Sequence, residues 1–487
     1  MAAATTIGIE EVRVFLSNLV WGLGEVSSRP VLGAIAAAPF ALVLLAGPFL
    51  RGVGPRRGLW LTAAWLSAAY LAEHTSNRAE LDLGLAGFCV LAWGWFLVAA
   101  LVTIRRGVGL GLLMGASLDV ALRLGLLTLD VPWIDHPLAT AVALLLGGYV
   151  IVGTHRVAAV VQETGEPDWR SISGLLAIGP WLAVTLLVTG NPPQVAARLG
   201  SSYGVVVGAL ALGHAAGISL ASGTLARPIM SPGLTFLGTL MALAFIPLWN
   251  GWALGPVWAA AACVSAALML AGALTGAERP SVRGSAAGTA LLISLSLLLF
   301  LGLAYAAYAL YDGFPWAFVA LALLVGFAVV GGASTLKAGA GGAMDVLRPA
   351  RAGAGAGLVL GLLRAITWYE PTADEIAPIE LTVMTYNVRL GFGRDDRWDL
   401  ERTARTIERE RPDVVVLGEV ARGWLVGSGA DEAFWLAQRL GMAAVFGAAA
   451  GDLHGNLLLS RYRVEGAGHR FAERSSGALP RGAVEGV

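Results

Sequence analysis

The sequence predicts a polytopic α-helical membrane domain followed by a smaller α/β domain, and three observations support this prediction. First, 56% of the 487 residues are hydrophobic and 14% are charged, with a mean hydropathy of +0.71, a composition typical of multi-span membrane proteins. Second, apolar runs of about 20 residues, the length that crosses a bilayer, recur up to residue 368. Third, from residue 381 the pattern changes to alternating strands and an amphipathic helix.

The predicted membrane domain covers residues 31–368 and contains about 11–12 spans by length. Because open strands cannot satisfy their backbone hydrogen bonds in lipid, these spans should be helices. They lie near 31–50, 58–74, 81–102, 108–128, 137–154, 172–190, 203–222, 233–249, 253–275, 286–311 and 315–334, with a shorter candidate at 353–368. If that last segment crosses, its Arg364 must reach the interface or face protein.

Residues 1–30 precede these spans and contain Glu10, Glu11 and Glu25. A cleavable signal peptide would begin with a basic segment, which this stretch lacks. We therefore expect 1–30 to form an N-terminal interfacial segment.

Basic residues are concentrated in alternate loops of the predicted membrane domain. The basic loops contain Arg51, Arg56, Arg57, Arg105, Arg106, Arg156, Arg170, Arg227, Arg279, Arg283, Lys337, Arg348 and Arg351. The intervening loops contain few, and the loop TLDVPWIDH contains none. The positive-inside rule makes the basic loops cytoplasmic, which places the C-terminal domain outside the cytoplasm if 353–368 crosses. We expect a protein of the bacterial cytoplasmic membrane with an extracytoplasmic C-terminal domain.

Few ionisable residues lie within the predicted spans. Asp119 and Arg123 are four residues apart and are able to pair on one helix face. The simpler interpretation is a pair that neutralises itself for insertion, and the alternative is a site for a lipid headgroup or a polar cavity. His214 is expected to make a helix-packing hydrogen bond. Cys89 and Cys263 lie in apolar runs and are expected to be buried free thiols.

The C-terminal part begins after a linker rich in acid, Pro and Ala at 369–380. Residues 381–388 alternate with the period of a strand, and Trp398–Glu410 has helical spacing. Asp413–Val420 then has the pattern of a buried strand. Further along, Asp431–Leu440 predicts a helix that Gly441 caps, followed by strands at 443–446 and 456–460.

Three phrases in this part, MTYNVRLG, ERPDVVVLGEV and GNLLLSRYRV, resemble the endonuclease/exonuclease/phosphatase superfamily, the DNase-I-like phosphoesterases. The resemblance implies a two-sheet α/β sandwich with helices outside, and metal-dependent phosphodiester hydrolysis. It places the metal ligands at Asn387 and Glu419, with Mg²⁺ or Mn²⁺ as the cofactor, and Asn456 beside a phosphate oxygen. A turn-forming role for Asn456 is the alternative. Gly418 stands where the family commonly has Gln.

The order of the two domains resembles that of proteins that remodel the ceramide of GPI anchors, and of bacterial membrane proteins with the same arrangement. That resemblance implies membrane lipids or a lipid-linked phosphodiester as partners. The balance of 33 basic and 33 acidic residues gives no support for nucleic acid as a partner.

The family domain has roughly 250 residues, within the ordinary range of domain size, whereas residues 381–487 are fewer than half of that. The family's Thr-His-Leu, Gly-Asp-x-Asn and Ser-Asp-His segments are missing, and His454 is expected to be a loop residue rather than the catalytic base. We expect a truncated, inactive partial sandwich, with the remainder encoded beyond Val487. The alternatives are a transporter or lipid-handling protein with a vestigial tail, and a membrane-tethered binding module.

Overall fold

A computed structural model describes residues 1–158, 172–222, 255–274, 285–309, 369–374 and 379–471 apart from isolated positions, together with short strands at 166–167, 282–283 and 482–485 and the positions 359, 363, 366 and 367. The predicted spans near 233–249 and 315–334, most of 353–368, and Arg364 lie outside the described residues.

The N-terminal part is a helical bundle, and its helices fall on the predicted spans except for those at Ala2–Leu23 and Pro192–Leu199, which lie outside them. In chain order they are α1 (Ala2–Leu23), α2 (Arg29–Ala41), α3 (Ala46–Val53), α4 (Pro55–Thr75), α5 (Ala79–Thr103), α6 (Val108–Gly125), α7 (Pro137–Ala158), α8 (Ile178–Val184), α9 (Pro192–Leu199), α10 (Tyr203–Ser222), α11 (Gly255–Leu274) and α12 (Ala286–Ala309). Strands β1 (Glu166–Pro167) and β2 (Val282–Arg283) form a short parallel pair.

Among the described residues, seven helical segments are long and apolar enough to cross a membrane, or eight if the pair Ser173–Thr189 and Pro192–Leu199, bent by 56°, counts as a broken span. One of the seven, Arg29–Val53, joins α2 and α3 through a 3₁₀ turn. These lengths and compositions fit an integral membrane protein.

Helix α1 lies inside the bundle, which differs from the interfacial position expected for residues 1–30. Its residues 3–19 are buried, and it packs against α5, α6 and α7. Small residues permit the close approach: a Cβ added at Gly8 would lie 2.3 Å from Trp93 Cδ2. The acidic residues of this helix suggested contact with water, whereas the structure buries all of its charged side chains.

The C-terminal part confirms the predicted local elements. It contains β3 (Val383–Asn387), α13 (Leu400–Glu410), β4 (Val414–Ala421), α14 (Glu432–Leu440), β5 (Ala443–Ala450), β6 (His454–Ser460), β7 (Gly468–Phe471) and β8 (Gly482–Glu485). Asp399 and Asp431 cap α13 and α14 by accepting hydrogen bonds from backbone N–H groups, and Gly441 ends α14 with a φ of +63°.

Four of these strands form a mixed sheet in the order β3-β4-β6-β5, in which β3 and β4 are parallel and the other pairs antiparallel. Helices α13 and α14 share a hydrophobic core with one face of the sheet, which includes Val415, Leu417 and Leu457. On the other face Val383 is 63% exposed.

The hairpin β7–β8 covers part of that second face, because a Cβ added at Gly447 of β5 would lie 2.8 Å from Val484 Cβ. The structure therefore shows a small mixed sheet with helices on one face and a hairpin on part of the other. A complete DNase-I-like sandwich stays a prediction.

The sheet domain rests on one end of the helical bundle. The loop between α6 and α7 contributes Leu127, Leu129 and Trp133 to contacts with the domain's core, and Trp133 lies 5.1 Å from Trp398 between ring centroids. Residues 128–136 of this loop, TLDVPWIDH, contain no Lys or Arg. The domain and the loops poor in basic residues thus lie at the same end, while the assignment of that end to the outside stays a prediction.

Candidate metal centre

The ends of the parallel strands β3 and β4 bring Asn387 and Glu419 to one edge of the sheet. Asn387 is the last residue of β3 and pairs with Gly418, so that Glu419 is the next residue along β4. The carboxyl ends of parallel strands meet at the same edge, and a strand–helix–strand unit positions both residues from local sequence alone.

Asn456 reaches the same place from the neighbouring strand β6. It lies opposite the irregular stretch of β4 between Leu417 and Val420. A Cβ added at Gly418 would lie 3.8 Å from Asn456 Oδ1 and 4.0 Å from Asn387 Cγ. The fold therefore brings Asn387 and Asn456 together at Gly418, with Glu419 as the next residue along β4. The lack of a side chain at Gly418 keeps the space between the two amides open.

The backbone at this edge adopts conformations that side chains other than glycine rarely take. Glu419 has a φ of +57°, and Arg389 and Leu390, in the turn that follows β3, have values of +48° and +53°. Such residues cost of order 1–3 kcal/mol each and are concentrated at functional sites. Glu419 also lies within the stretch of β4 where the register with β6 shifts, between Leu417 and Val420.

The polar side chains at this edge differ in the hydrogen bonds that they make within the protein. Glu419 is half-buried, and its carboxylate makes no hydrogen bond or ion pair with any described residue. Asn387 is exposed, and its Oδ1 accepts a hydrogen bond of 2.9 Å from the Arg389 backbone N–H. Asn456 Nδ2 donates to the Gly482 carbonyl at 2.6 Å, so the hairpin holds this amide in place.

These donors fit a hard divalent cation. Mg²⁺ takes oxygen ligands, commonly one or two carboxylates, and keeps several waters. Glu419 supplies the carboxylate, Asn387 an amide oxygen, and Asn456 Oδ1 points toward the same opening beside Gly418. The residues present are therefore compatible with the Mg²⁺ or Mn²⁺ that the sequence resemblance implied.

The segment 422–431, immediately after this edge, inserts into the helical bundle, a contact that sequence reasoning missed. Ser17 of α1 donates to the Leu425 carbonyl at 3.1 Å and accepts from the Ser428 N–H at 2.9 Å. Trp21 Nε1 donates to the Val426 carbonyl at 2.6 Å. Ordinary loops lie on the surface, so a buried loop with its backbone groups satisfied by another domain marks a built interface.

Asp431 is the second anchor of this segment, and none of its surface is exposed. Its backbone N–H donates to Thr128 Oγ1 at 2.9 Å, and its carboxylate accepts from the Tyr203 hydroxyl. Arg422 Nε lies 3.1 Å from the same carboxylate. Burial lowers the pKa of Arg422, but the Asp431 charge outweighs it and the net pKa is raised.

A buried charge network lies beneath this segment in the bundle. Arg13 lies between two carboxylates, with Nη1 3.1 Å from Asp119 Oδ2 and Nε 2.7 Å from Asp130 Oδ2. Arg123 Nε is 3.3 Å from Asp130 Oδ1, and Arg123 also donates to the Gly429 carbonyl. The interpretation of Asp119 and Arg123 as a self-neutralising pair on one helix is wrong, because the bonded partner of Asp119 is Arg13 on α1.

Glu10, Asp119 and Asp130 each place a carboxylate oxygen within 4.8 Å of the others, a spacing that a metal ion accepts. Arg13 already hydrogen-bonds both aspartates at that position. Its guanidinium takes the place of a cation, so we assign no metal to this group.

Three further predictions concern single residues. His214 packs between helices as predicted, with Nδ1 3.0 Å from Ser117 Oγ and Nε2 2.9 Å from the Thr189 carbonyl oxygen. Cys89 and Cys263 are buried and free, also as predicted. His454 was expected in a loop, and this is wrong, since it is the first residue of β6 and pairs with Ala421.

Comparison with known families finds no family model that matches the chain, and no curated protein matches it either. Membership of the endonuclease/exonuclease/phosphatase superfamily therefore stays a prediction, which rests on the resemblance of the three sequence phrases.

Proposed function

We propose that this integral membrane protein binds Mg²⁺ or Mn²⁺ in its C-terminal domain, and that phosphodiester hydrolysis at this site also requires the superfamily's Thr-His-Leu, Gly-Asp-x-Asn and Ser-Asp-His segments, which residues 381–487 lack. The observation that supports this most is the meeting of Asn387, Glu419 and Asn456 around Gly418. The three residues come from the adjacent strands β3, β4 and β6, and the Glu419 carboxylate has no partner among the described residues and is available to a metal ion.

Each residue has a role in this proposal. Glu419 holds the ion through its carboxylate, and Asn387 contributes an amide oxygen or holds a water of the ion's shell. Asn456, fixed by its hydrogen bond to Gly482, orients a phosphate oxygen. A divalent ion bound there supplies positive charge that polarises the phosphoryl group.

The substrate we propose is a membrane lipid or a lipid-linked phosphodiester. The inserted segment begins at Arg422, three residues after Glu419. The Cα atoms of these two residues are therefore at most about 10 Å apart. The contacts of Ser17 and Trp21 with that segment hold the site next to the end of the bundle. A substrate anchored in the bilayer would meet this site without leaving the membrane surface.

The test measures Mg²⁺ binding by the full chain in nanodiscs, and phosphodiester hydrolysis with a lipid phosphodiester and with bis(4-nitrophenyl) phosphate, in Mg²⁺ or in EDTA. We expect the chain to bind Mg²⁺ with an affinity that Glu419→Gln lowers by about 10–100-fold and Asn387→Ala by less. We expect little or no release of product, because the segment that supplies the superfamily's general base is missing. Glu410→Gln, on the exposed side of α13, is the matched control.

Mg²⁺ binding that persists unchanged in Glu419→Gln would refute the assignment of the site. Clear hydrolysis by the wild-type chain would refute the requirement for the missing segments.

A further inference from the structure

The centre of the helical bundle contains more buried acid than buried base. Arg13 and Arg123 are balanced by Asp119 and Asp130, and all four are buried. Every nitrogen of the Arg13 guanidinium that carries a hydrogen is engaged with these aspartates. The network is closed and neutral, so it has no charge left to compensate other acidic groups.

Three more carboxyl groups lie beside this network, and each has at least one oxygen without a hydrogen-bond partner among the described residues. Glu10 Oε2 accepts from the Tyr70 hydroxyl, but Glu10 Oε1 has no hydrogen-bond partner among the described residues. Both oxygens of Glu11 and Oε2 of Glu73 likewise lack one within the described part of the chain. Glu10 and Glu11 are completely buried, and Glu73 is 5% exposed.

The charged groups that act most strongly on Glu11 are acidic. These groups are Glu73 of α4, Glu10 of α1, Asp130 in the loop after α6, and Asp82 of α5. Other titratable groups on these helices include Tyr70 and His74 of α4 and Cys89 of α5. From the C-terminal domain, the positive charge of Arg397 acts on Glu73 and Asp82. The indole N–H of Trp93, on the same helix as Cys89, is buried and also unpartnered among described residues.

An ionised carboxylate buried without a partner costs several kcal/mol or more, so such a group holds a proton or a cation. Ionisable residues inside a membrane bundle commonly mark an ion or proton path. Asp82 is only partly buried, and its charge acts on Glu73 and Glu11. The carboxyl groups therefore extend from the middle of the bundle to its surface at the domain end.

We propose that Glu10, Glu11 and Glu73 form an intramembrane cation site, loaded by way of Asp82, that holds protons or an alkali cation. The unpartnered carboxylate of Glu11 is its centre, and the Tyr70 hydroxyl orients Glu10. The site is separate from the candidate metal centre and does not rest on phosphodiester hydrolysis.

The test uses the full chain in nanodiscs at neutral pH. Infrared spectroscopy reports buried carboxylic acid groups, and thermal unfolding is compared in Na⁺, K⁺ and choline at equal ionic strength. If the site holds protons, wild type shows buried carboxylic acid absorption that Glu11→Gln reduces and that Na⁺ and K⁺ do not change. If it holds an alkali cation, Na⁺ or K⁺ raises the unfolding temperature over choline, and Glu11→Gln abolishes that difference.

Glu73→Gln provides a second variant should Glu11→Gln fail to fold, and Glu410→Gln, exposed on α13, is the control for adding an amide. The proposal is overturned if wild type shows neither buried carboxylic acid absorption nor dependence on Na⁺ or K⁺. It is also overturned if these signals are the same in wild type and in both glutamine variants.

Discussion

The helical bundle and the C-terminal sheet both contain clusters of polar side chains, but the two clusters differ in how they are satisfied. In the bundle, Arg13 lies completely buried between Asp119 and Asp130, and each of its three guanidinium nitrogens donates to one or both of these carboxylates. At the sheet edge, Glu419 is half-buried and its carboxylate is unpartnered among the described residues. A closed network stabilises a fold only while it is complete, whereas an open one is available to a ligand.

The first prediction breaks the closed network. Arg13→Met leaves Asp119 and Asp130 buried with most of their positive charge removed, and we expect a loss of about 3–5 kcal/mol in unfolding free energy. Arg402→Met is the control, because its pair with Asp395 is about half exposed, and it should cost about 1 kcal/mol or less. Unfolding in nanodiscs measures both. An equal loss of unfolding free energy in the two variants would show that the buried network stabilises the fold no more than the exposed pair does.

The second prediction concerns the contact between the two regions. Tyr203→Phe removes a hydrogen bond to the buried Asp431 and should cost about 1–3 kcal/mol. Because Asp431 anchors the inserted segment, hydrogen exchange of residues 422–431 should accelerate more than exchange in α13. Tyr369→Phe, at an exposed position, should leave both unchanged. Acceleration spread equally over the domain would show that the segment is not a local anchor.

The third prediction compares two glycines of the sheet. A Cβ at Gly455 would lie 2.1 Å from the Gly447 carbonyl oxygen, so Gly455→Ala forces the backbone to shift and should cost about 1–3 kcal/mol. At Gly418 the nearest atom is 3.8 Å away, and Gly418→Ala should change stability by about 0.5 kcal/mol or less. Thermal unfolding distinguishes them, and a larger loss in Gly418→Ala would show that the edge is packed rather than open.

The fourth prediction is a pH dependence. Burial raises the pKa of Glu432 well above its usual value, although the Ala421 N–H donates to it. The folded state then binds the proton more tightly than the unfolded state, so stability is present below the unfolded value of 4.5 and is lost as pH rises toward the raised pKa. Glu432→Gln should flatten this decline in a series of unfolding measurements against pH. A decline of the same slope in the variant would assign it to another group.

The same comparison explains what could be predicted from the sequence. The sheet edge follows from local patterns: alternation gives β3, an Asp caps α13, and the strand ends place Asn387 and Glu419. The bundle network joins Arg13 to Asp119 across 106 residues of sequence, and the inserted segment joins Ser17 to Leu425 across 408. Such pairings depend on helix packing that no local pattern reports.

The charged residues of α1 are the one feature of the sequence that points to the buried network. Glu10, Glu11 and Arg13 lie in a helix of 22 residues that is otherwise largely apolar. Charges in an apolar helix predict an interfacial position when water is their partner. The same composition is also compatible with a buried helix, because Arg13 pairs with Asp119 of α6 and with Asp130 of the following loop.

The most direct test of the account is the binding of Mn²⁺ to the full chain, followed by electron paramagnetic resonance in wild type, Glu419→Gln, Glu11→Gln and Glu410→Gln. We expect a bound ion that Glu419→Gln removes while the other two variants retain it, because the Glu419 carboxylate is half-buried at the sheet edge and accessible to a hydrated divalent cation, whereas Glu11 is completely buried. Binding that survives in Glu419→Gln and disappears in Glu11→Gln would place the divalent site in the bundle and contradict the account.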